Sequence, residues 1–246
     1  MTGNSLGIDV GGSSIKHGVV EVASGSLAGP LGAVPTPQPS APQALVAAIT
    51  GIVAGTGAGM PVGVTLPSVI RQGTIHTAAN VDASLIGFPI ESALREATGR
   101  HVVCLNDADA AGLAEMRLGA GRGQGGVVMV LTLGTGIGSA LFVDGRLVPN
   151  TELGHLQMRG QDAECWASAR VRTEQGLGWE AWAQRVTEYL DLVHALFWPE
   201  LFVLGGGVSE EFGHFGPLLK ARCPVKPARL GAAAGVVGAA LAAAEA

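Results

Sequence analysis

The chain has 246 residues, 48% of them hydrophobic and only 14% charged, and its 15 basic and 20 acidic residues leave a net charge of −5. That apolar share suffices for one large or two small lobes with their own cores, so global disorder is excluded. An acidic chain without a long basic run argues against nucleic acid as a partner, and every long apolar run stops short of the ~20 residues that a membrane-spanning helix needs.

The start, Met1 to Leu6, shows no basic segment followed by an apolar one. No secretory leader is expected, and the cytoplasm is the default compartment. Cys104, Cys165 and Cys223 are odd in number and far apart, which reads as free thiols rather than a disulfide or zinc framework.

In chain order, Leu6 to Val10 reads as a buried strand, Gly11-Gly12-Ser13-Ser14 as a turn and Ile15 to Glu21 as a second strand. A third strand is expected over Leu27 to Val34, followed by the proline-rich Pro35-Thr36-Pro37-Gln38-Pro39. A helix from about Ala41 to Ala54 has Pro42 in its first turn, where the missing N–H is harmless. Val62 to Leu66 is a strand, Ile90 to Thr98 a helix, Val102 to Leu105 a strand and Asp107 to Leu118 a helix. Then the pattern restarts, with strands over Val127 to Leu133, Gly138 to Val143 and Arg146 to Val148, and Asp144-Gly145 as a tight hairpin turn. Aligning Val10 with Leu133 superimposes the two openings at an offset of 123 residues, half the chain. A helix near Ala163 to Val171, a longer one over Trp179 to Phe197, a strand over Leu201 to Leu204, a helix after Ser209 and a last helix from about Gly231 complete the reading.

A duplicated α/β chain of this kind predicts two lobes of mixed sheets covered by helices, with ligands at the carboxyl ends of strands and a cleft between lobes as the expected site. The expected lobes are 1–110 and 111–246, with the last helix returning to the first lobe. Three glycine turns follow buried strands: Gly11-Gly12, Gly134-Thr135-Gly136 and Gly205-Gly206-Gly207. Glycine there lets backbone N–H groups approach a phosphate without an intervening Cβ. No G-x-x-x-x-G-K-[ST] sequence is present, and Gly121 to Gly126, which fits G-x-G-x-x-G, follows a helix rather than a strand, so it reads as a connector.

Taken in order, Asp9-Val10-Gly11-Gly12-Ser13, Asn106-Asp107-Ala108, Leu133-Gly134-Thr135-Gly136-Ile137-Gly138, Glu152-Leu153-Gly154-His155 and Gly205-Gly206-Gly207 resemble the motif set of the ROK sugar kinases, of the actin/hexokinase-like (ribonuclease H-like) superfamily. Pro35 to Pro39, Thr77 to Asp82 and Leu147 to His155 resemble the polyphosphate glucokinase subgroup. The resemblance implies a two-lobed glucokinase that uses polyphosphate, ATP or both, with Mg²⁺ as cofactor and a homodimer as the assembly. It implies Asp107 as the catalytic base and Asn80, Asn106, Asp107, Glu152, His155 and Glu164 as sugar contacts. It further implies a donor-phosphate site from Asp9, Gly11, Gly12, Ser13, Lys16, the turns at Gly134, Thr135 and Gly136, and Gly205, Gly206 and Gly207. Asp9 is implied to hold Mg²⁺ through water. Many members bind zinc through the histidine of the fourth motif and a cysteine cluster, but Gly160 to Cys165 offers a single cysteine, so zinc is not expected.

Alternatives stay open: an ATP-only kinase for another hexose such as mannose, a sugar-binding protein without catalysis, and a sugar-sensing repressor, the last disfavoured because the motifs begin at Leu6. Ser68, Ala83 and Leu85 depart from the residues usual at their positions. Lys220, Arg222, Lys226 and Arg229, with Arg117 and Arg122, form the candidate basic track for a polyanionic donor.

Overall fold

The computed structural model of the protein describes residues 3–79 and 81–246. Its elements begin with β1 (Asn4–Val10), β2 (Ser14–Glu21), β3 (Ser26–Leu27), β4 (Gly32–Pro35), α1 (Pro42–Ala54), β5 (Val62–Leu66), β6 (Ile70–Arg71) and β7 (Thr74–Ile75). They continue with α2 (Ile90–Thr98), β8 (Val102–Asn106), α3 (Asp107–Leu118), β9 (Val127–Leu133), β10 (Ile137–Val143), β11 (Arg146–Val148), β12 (Gln157–Met158) and β13 (Gln161–Asp162). Last come α4 (Glu164–Ala167), α5 (Ala169–Glu174), α6 (Trp179–Phe197), β14 (Leu201–Gly205), α7 (Phe212–Phe215), β15 (Val225–Pro227) and α8 (Ala234–Glu245). The chain divides into unit 1, Met1–Ala114 with Ala233–Ala246, and unit 2, Glu115–Ala232.

Unit 1 holds a sheet of order β3-β2-β1-β5-β8, with β4 also paired to β2. β1 runs antiparallel to β2 and parallel to β5, which in turn runs parallel to β8. Strand alternation sorts the faces. Leu6, Ile8 and Val10, with Val62, Val64, Leu66 and Val102, form one core with Leu45 and Ile49 of α1 and Leu94 of α2. The opposite face is built of small residues, because α8 lies on it: Val236 backbone fills the place of a Cβ at Gly7, and Ala239 backbone does so at Gly63.

Unit 2 repeats that plan in a sheet of order β11-β10-β9-β14-β15, antiparallel over its first three strands and parallel thereafter. Met129, Leu131 and Leu133 of β9 and Phe202 and Leu204 of β14 pack with Trp182, Val186, Tyr189 and Val193 of α6. Glu115, only 1% exposed, keeps its carboxylate buried by accepting from the backbone N–H groups of Ala120, Arg229 and Leu230, each at 2.8 Å.

The structure differs from the sequence reading in three expected elements and adds short strands. The third strand is two pieces, β3 and β4, parted around Gly29-Pro30. The helix expected near Ala163 to Val171 is α4 and α5, broken where Ser168 leaves helical dihedrals and its hydroxyl accepts from Val171 N–H. After Ser209 there is a 3₁₀ turn and the single-turn α7, because Gly213, Gly216 and Pro217 do not sustain a helix. The two-residue hairpins and β15 lie in stretches for which the sequence reading assigns no element.

Candidate active site

In unit 1 the candidate residues stand along one edge of the sheet. β1, β5 and β8 are parallel, with Asp9 level with Thr65 and Thr65 level with Leu105. Asp9 and the Asn106-Asp107 junction therefore sit two strands apart at the carboxyl ends, about 10 Å by strand spacing. Asn106 is 5% exposed. Its Oδ1 accepts from Ala108 and Asp109 N–H at 2.8 and 3.1 Å, and its Nδ2 donates to Ser68 carbonyl at 3.2 Å. Asn106 is thus the N-cap of α3, its side-chain amide held on both its oxygen and its nitrogen. Asp107 is half-buried, and its Oδ1 accepts from Ala108 N–H at 2.8 Å.

Burial raises the Asp9 carboxyl above the ordinary carboxylate range, and the charge of Lys16, directly opposite on β2, pulls it back. Gly235 of α8 lies against that carboxylate, where a side chain would crowd it. Gly11, Gly12 and Ser13 form the first glycine turn, closed by Gly11 N–H on the Ser14 carbonyl at 3.0 Å. Its carbonyls are taken up by the proline-rich segment: Thr36 Oγ1 donates to Gly11 at 2.6 Å, Gln38 Nε2 to Gly12 at 3.0 Å and Thr36 N–H to Ser13 at 3.1 Å. Sequence reasoning missed these two supports. The hydroxyls of Thr65 and Ser68 are buried without a hydrogen-bond partner among the described residues. Asn80 lies outside the described residues.

Unit 2 brings Glu152, His155 and Glu164 together. Ser139 of β10 fixes their segment, its Oγ donating to Thr151 carbonyl at 2.7 Å and accepting from Leu153 N–H at 3.0 Å. A Cβ at Gly154 would strike the Ile137 carbonyl, which explains glycine within that motif. Burial raises the Glu152 carboxyl, His155 opposes the shift and Glu164 adds to it. His155 Nε2 is 3.9 Å from Glu152 Oε2, while its Nδ1 is 2.9 Å from Asp162 Oδ2.

Glu164 also reaches the second glycine turn. Its Oε2 accepts from Ile137 N–H at 3.2 Å and occupies the space of a Cβ at Gly136. The turn itself has Gly134 N–H on the Gly136 carbonyl and Arg170 N–H on the Gly134 carbonyl, both at 3.0 Å, with Thr135 exposed. Gly205, Gly206 and Gly207 follow the adjacent parallel strand β14, and Gly206, at φ +83°, comes so close to the Leu133 backbone that no Cβ fits. These two turns are therefore neighbours at one sheet edge. Lys220, Arg222, Lys226 and Arg229 are exposed, but Arg222 pairs with Asp191 at 3.1 Å. Among the described residues no group of three or more histidine, cysteine or acidic side chains is arranged for a metal ion, and no helix is long and apolar enough to cross a membrane.

Two mixed sheets of matching strand order, with glycine turns where parallel strands end, place the protein in the actin/hexokinase-like class of sugar kinases. The ROK family model matches residues 5–175, and the chain belongs to the ROK family. It is 47% identical over 240 residues to a polyphosphate glucokinase of Mycobacterium tuberculosis, an alignment covering 97% of this chain and 91% of that one. Its structure superimposes on an inorganic polyphosphate/ATP-glucomannokinase from Arthrobacter sp. strain KM with a TM-score of 0.92 at 48% identity, covering 98% of each chain. A ROK family glucokinase from Streptomyces griseus, solved with glucose and AMPPNP, gives 0.82 at 26% identity, covering 99% of this chain and 100% of that one.

Proposed function

We propose that this protein is a glucokinase that transfers a phosphoryl group from inorganic polyphosphate or ATP to the 6-hydroxyl of glucose. The observation that carries this reading is the 47% identity to a polyphosphate glucokinase across 97% of the chain, reinforced by the 48% identical glucomannokinase. In this mechanism Asp107 accepts the proton of the glucose hydroxyl as its oxygen bonds to phosphorus and the bond from phosphorus to the donor oxygen breaks. Glu152, His155, Glu164 and Asn106 fix the sugar through hydroxyl hydrogen bonds, so a hexose lacking a matching hydroxyl leaves a polar group unpaired. The backbone N–H groups of the glycine turns receive donor phosphate oxygens. Asp9 suits Mg²⁺ held through water: it is a hard oxygen donor, half-buried and set against Lys16, and a divalent cation would keep it ionised. When bound, Mg²⁺ spreads the charge of the transferring group.

A coupled assay for glucose 6-phosphate, run separately with polyphosphate and with ATP, tests the reading; no product with either donor overturns it. Mannose belongs in the same assay as a second acceptor, on the similarity to the glucomannokinase. The donor track has its own test. Lys220 and Lys226 are exposed and make no ion pair among the described residues, whereas reversing Arg222 would also leave Asp191 without its partner. Lys220→Glu with Lys226→Glu is expected to lower kcat/KM for polyphosphate about tenfold, and to flatten its salt dependence, while ATP use changes little. Equal losses with both donors would remove the track from the mechanism.

A further inference from the structure

Beside His155 the chain carries a small device that the reaction scheme above leaves unused. β12 and β13 form a two-residue hairpin in which Gln157 faces Asp162 and Met158 faces Gln161. Its turn runs through Arg159 and Gly160, at φ +54° and +78°, the paired left-handed conformation of a tight hairpin. The tip is anchored. Arg159 donates to Glu188 of α6 through Nε and Nη2, both at 3.0 Å, and Trp166 Nε1 donates to the same carboxylate at 3.1 Å. With the tip held, Asp162 is presented to His155. One of its oxygens lies 2.9 Å from His155 Nδ1, and the other accepts from Gln157 Nε2.

Stability does not account for this arrangement. The His155 and Asp162 side chains are 57% and 36% exposed, and an ion pair so open to water adds little to stability. What the arrangement does supply is orientation. A carboxylate on Nδ1 selects the tautomer with the proton there and stops the ring from flipping, so Nε2 is the nitrogen left toward Glu152, 3.9 Å away.

We infer that Asp162 is a positioning residue: by accepting the Nδ1–H of His155, and being held itself by Gln157, it fixes which ring nitrogen meets the sugar. The inference rests on the reading of His155 as a sugar contact. In the neutral ring Nε2 then accepts a hydrogen bond from a sugar hydroxyl, and in the charged ring it donates one. The titratable groups facing the ring are Asp162, Glu152 and Glu164. The hydrogen bond to Asp162 is the largest influence holding the imidazole above its ordinary value, with the three carboxylate charges adding and partial burial opposing. The sign follows: the charge pairing is complete below the ordinary histidine range and is lost as pH rises through the raised value, while the neutral ring keeps its Nδ1–H on the carboxylate. Hydrogen bonds from His155 and Gln157 hold the Asp162 carboxyl below its own ordinary range.

The test compares Asp162→Ala with the isosteric Asp162→Asn in the full-length enzyme, reading the His155 titration by NMR of its ring proton, assigned through its absence in His155→Gln. Both variants are expected to lower the titration midpoint by about half a pH unit or more, since both remove the carboxylate charge. Asparagine keeps an acceptor for Nδ1–H, so KM for glucose in Asp162→Asn is expected to stay within about twofold of wild type, while Asp162→Ala raises it roughly five- to tenfold, with kcat little changed in either. A midpoint unmoved by Asp162→Ala overturns the inference. So does a midpoint that falls with no change in KM, provided His155→Gln itself raises KM. If His155→Gln leaves KM unchanged, it is the sugar role of His155 that fails, and the titration alone still decides whether Asp162 governs the ring.

Discussion

Asp107→Asn is expected to lower kcat for glucose phosphorylation by at least ~10², because proton abstraction by a placed carboxylate typically contributes ~10²–10⁴ in rate. The structure makes this a clean substitution. Asn106, not Asp107, caps α3, with Oδ1 on two backbone N–H groups and Nδ2 on Ser68. The Asp107 Oδ1 accepts from Ala108 N–H, and an asparagine oxygen accepts that bond equally well. The first turn of α3 loses a charge favourable to the helix dipole, worth only ~0.3–1 kcal/mol near the surface. The melting temperature is therefore expected to fall by a few degrees at most while turnover collapses, with KM for glucose moving far less than kcat. Calorimetry and the glucose 6-phosphate assay on the same preparation separate the two effects. Turnover near that of wild type in a folded variant would take Asp107 out of the base role.

The residues that the sequence exposed to reading share a property: their reason for being there is local. Glycine at 11, 12, 134, 136, 205 and 206 announces close backbone approach, and Gly136 and Gly206 do face groups that leave no room for a Cβ. The strands β1, β5, β9 and β14 read as apolar runs because both faces of each sheet interior are covered, as their burial shows. The matching strand orders bear out the repeat seen between Val10 and Leu133. What escaped reading depends on partners distant along the chain. Thr36 and Gln38 support a turn 25 and 26 residues earlier, and Glu115 accepts from residues 114 and 115 positions later. Asp162 carries no signal in the sequence, because a two-residue strand has no periodicity to detect. Ser168 looked like a helix interior residue because its hydroxyl can end one helix and begin the next without any change in hydrophobic pattern.

The largest effect on stability is expected from one methyl group on the α8 face of the unit 1 sheet. Gly7 and Gly63 stand side by side in the parallel pair β1 and β5, and α8 lies against them with main chain rather than side chain. A Cβ at Gly63 would overlap the carbonyl of Ala239, and one at Gly7 the carbonyl of Val236. Retreat of α8 is blocked from the other side, where Gly238 lies against the Ala110 carbonyl of α3 just as closely. A flexible side chain could rotate out of the way; these are backbone atoms in regular elements, so relief requires lifting a buried helix off Gly7, Gly63 and the rest of that sheet face. Overpacking of a core typically costs ~1–3 kcal/mol and more where backbone must shift, so Gly63→Ala is expected to cost ~3 kcal/mol or more. For a chain of this size that corresponds to a melting temperature lower by roughly 6–12 °C. Gly51 supplies the internal control, since it sits inside α1, three residues before its end, with no atom outside its own helix backbone within 4 Å of the place a Cβ would take. There the same substitution removes only the entropic penalty of glycine in a helix and is expected to stabilise by ~0.5–1 kcal/mol. Thermal melts of the two alanine variants should thus move in opposite directions, and a Gly63→Ala protein as stable as wild type would mean that α8 does not lie on β5 through its backbone.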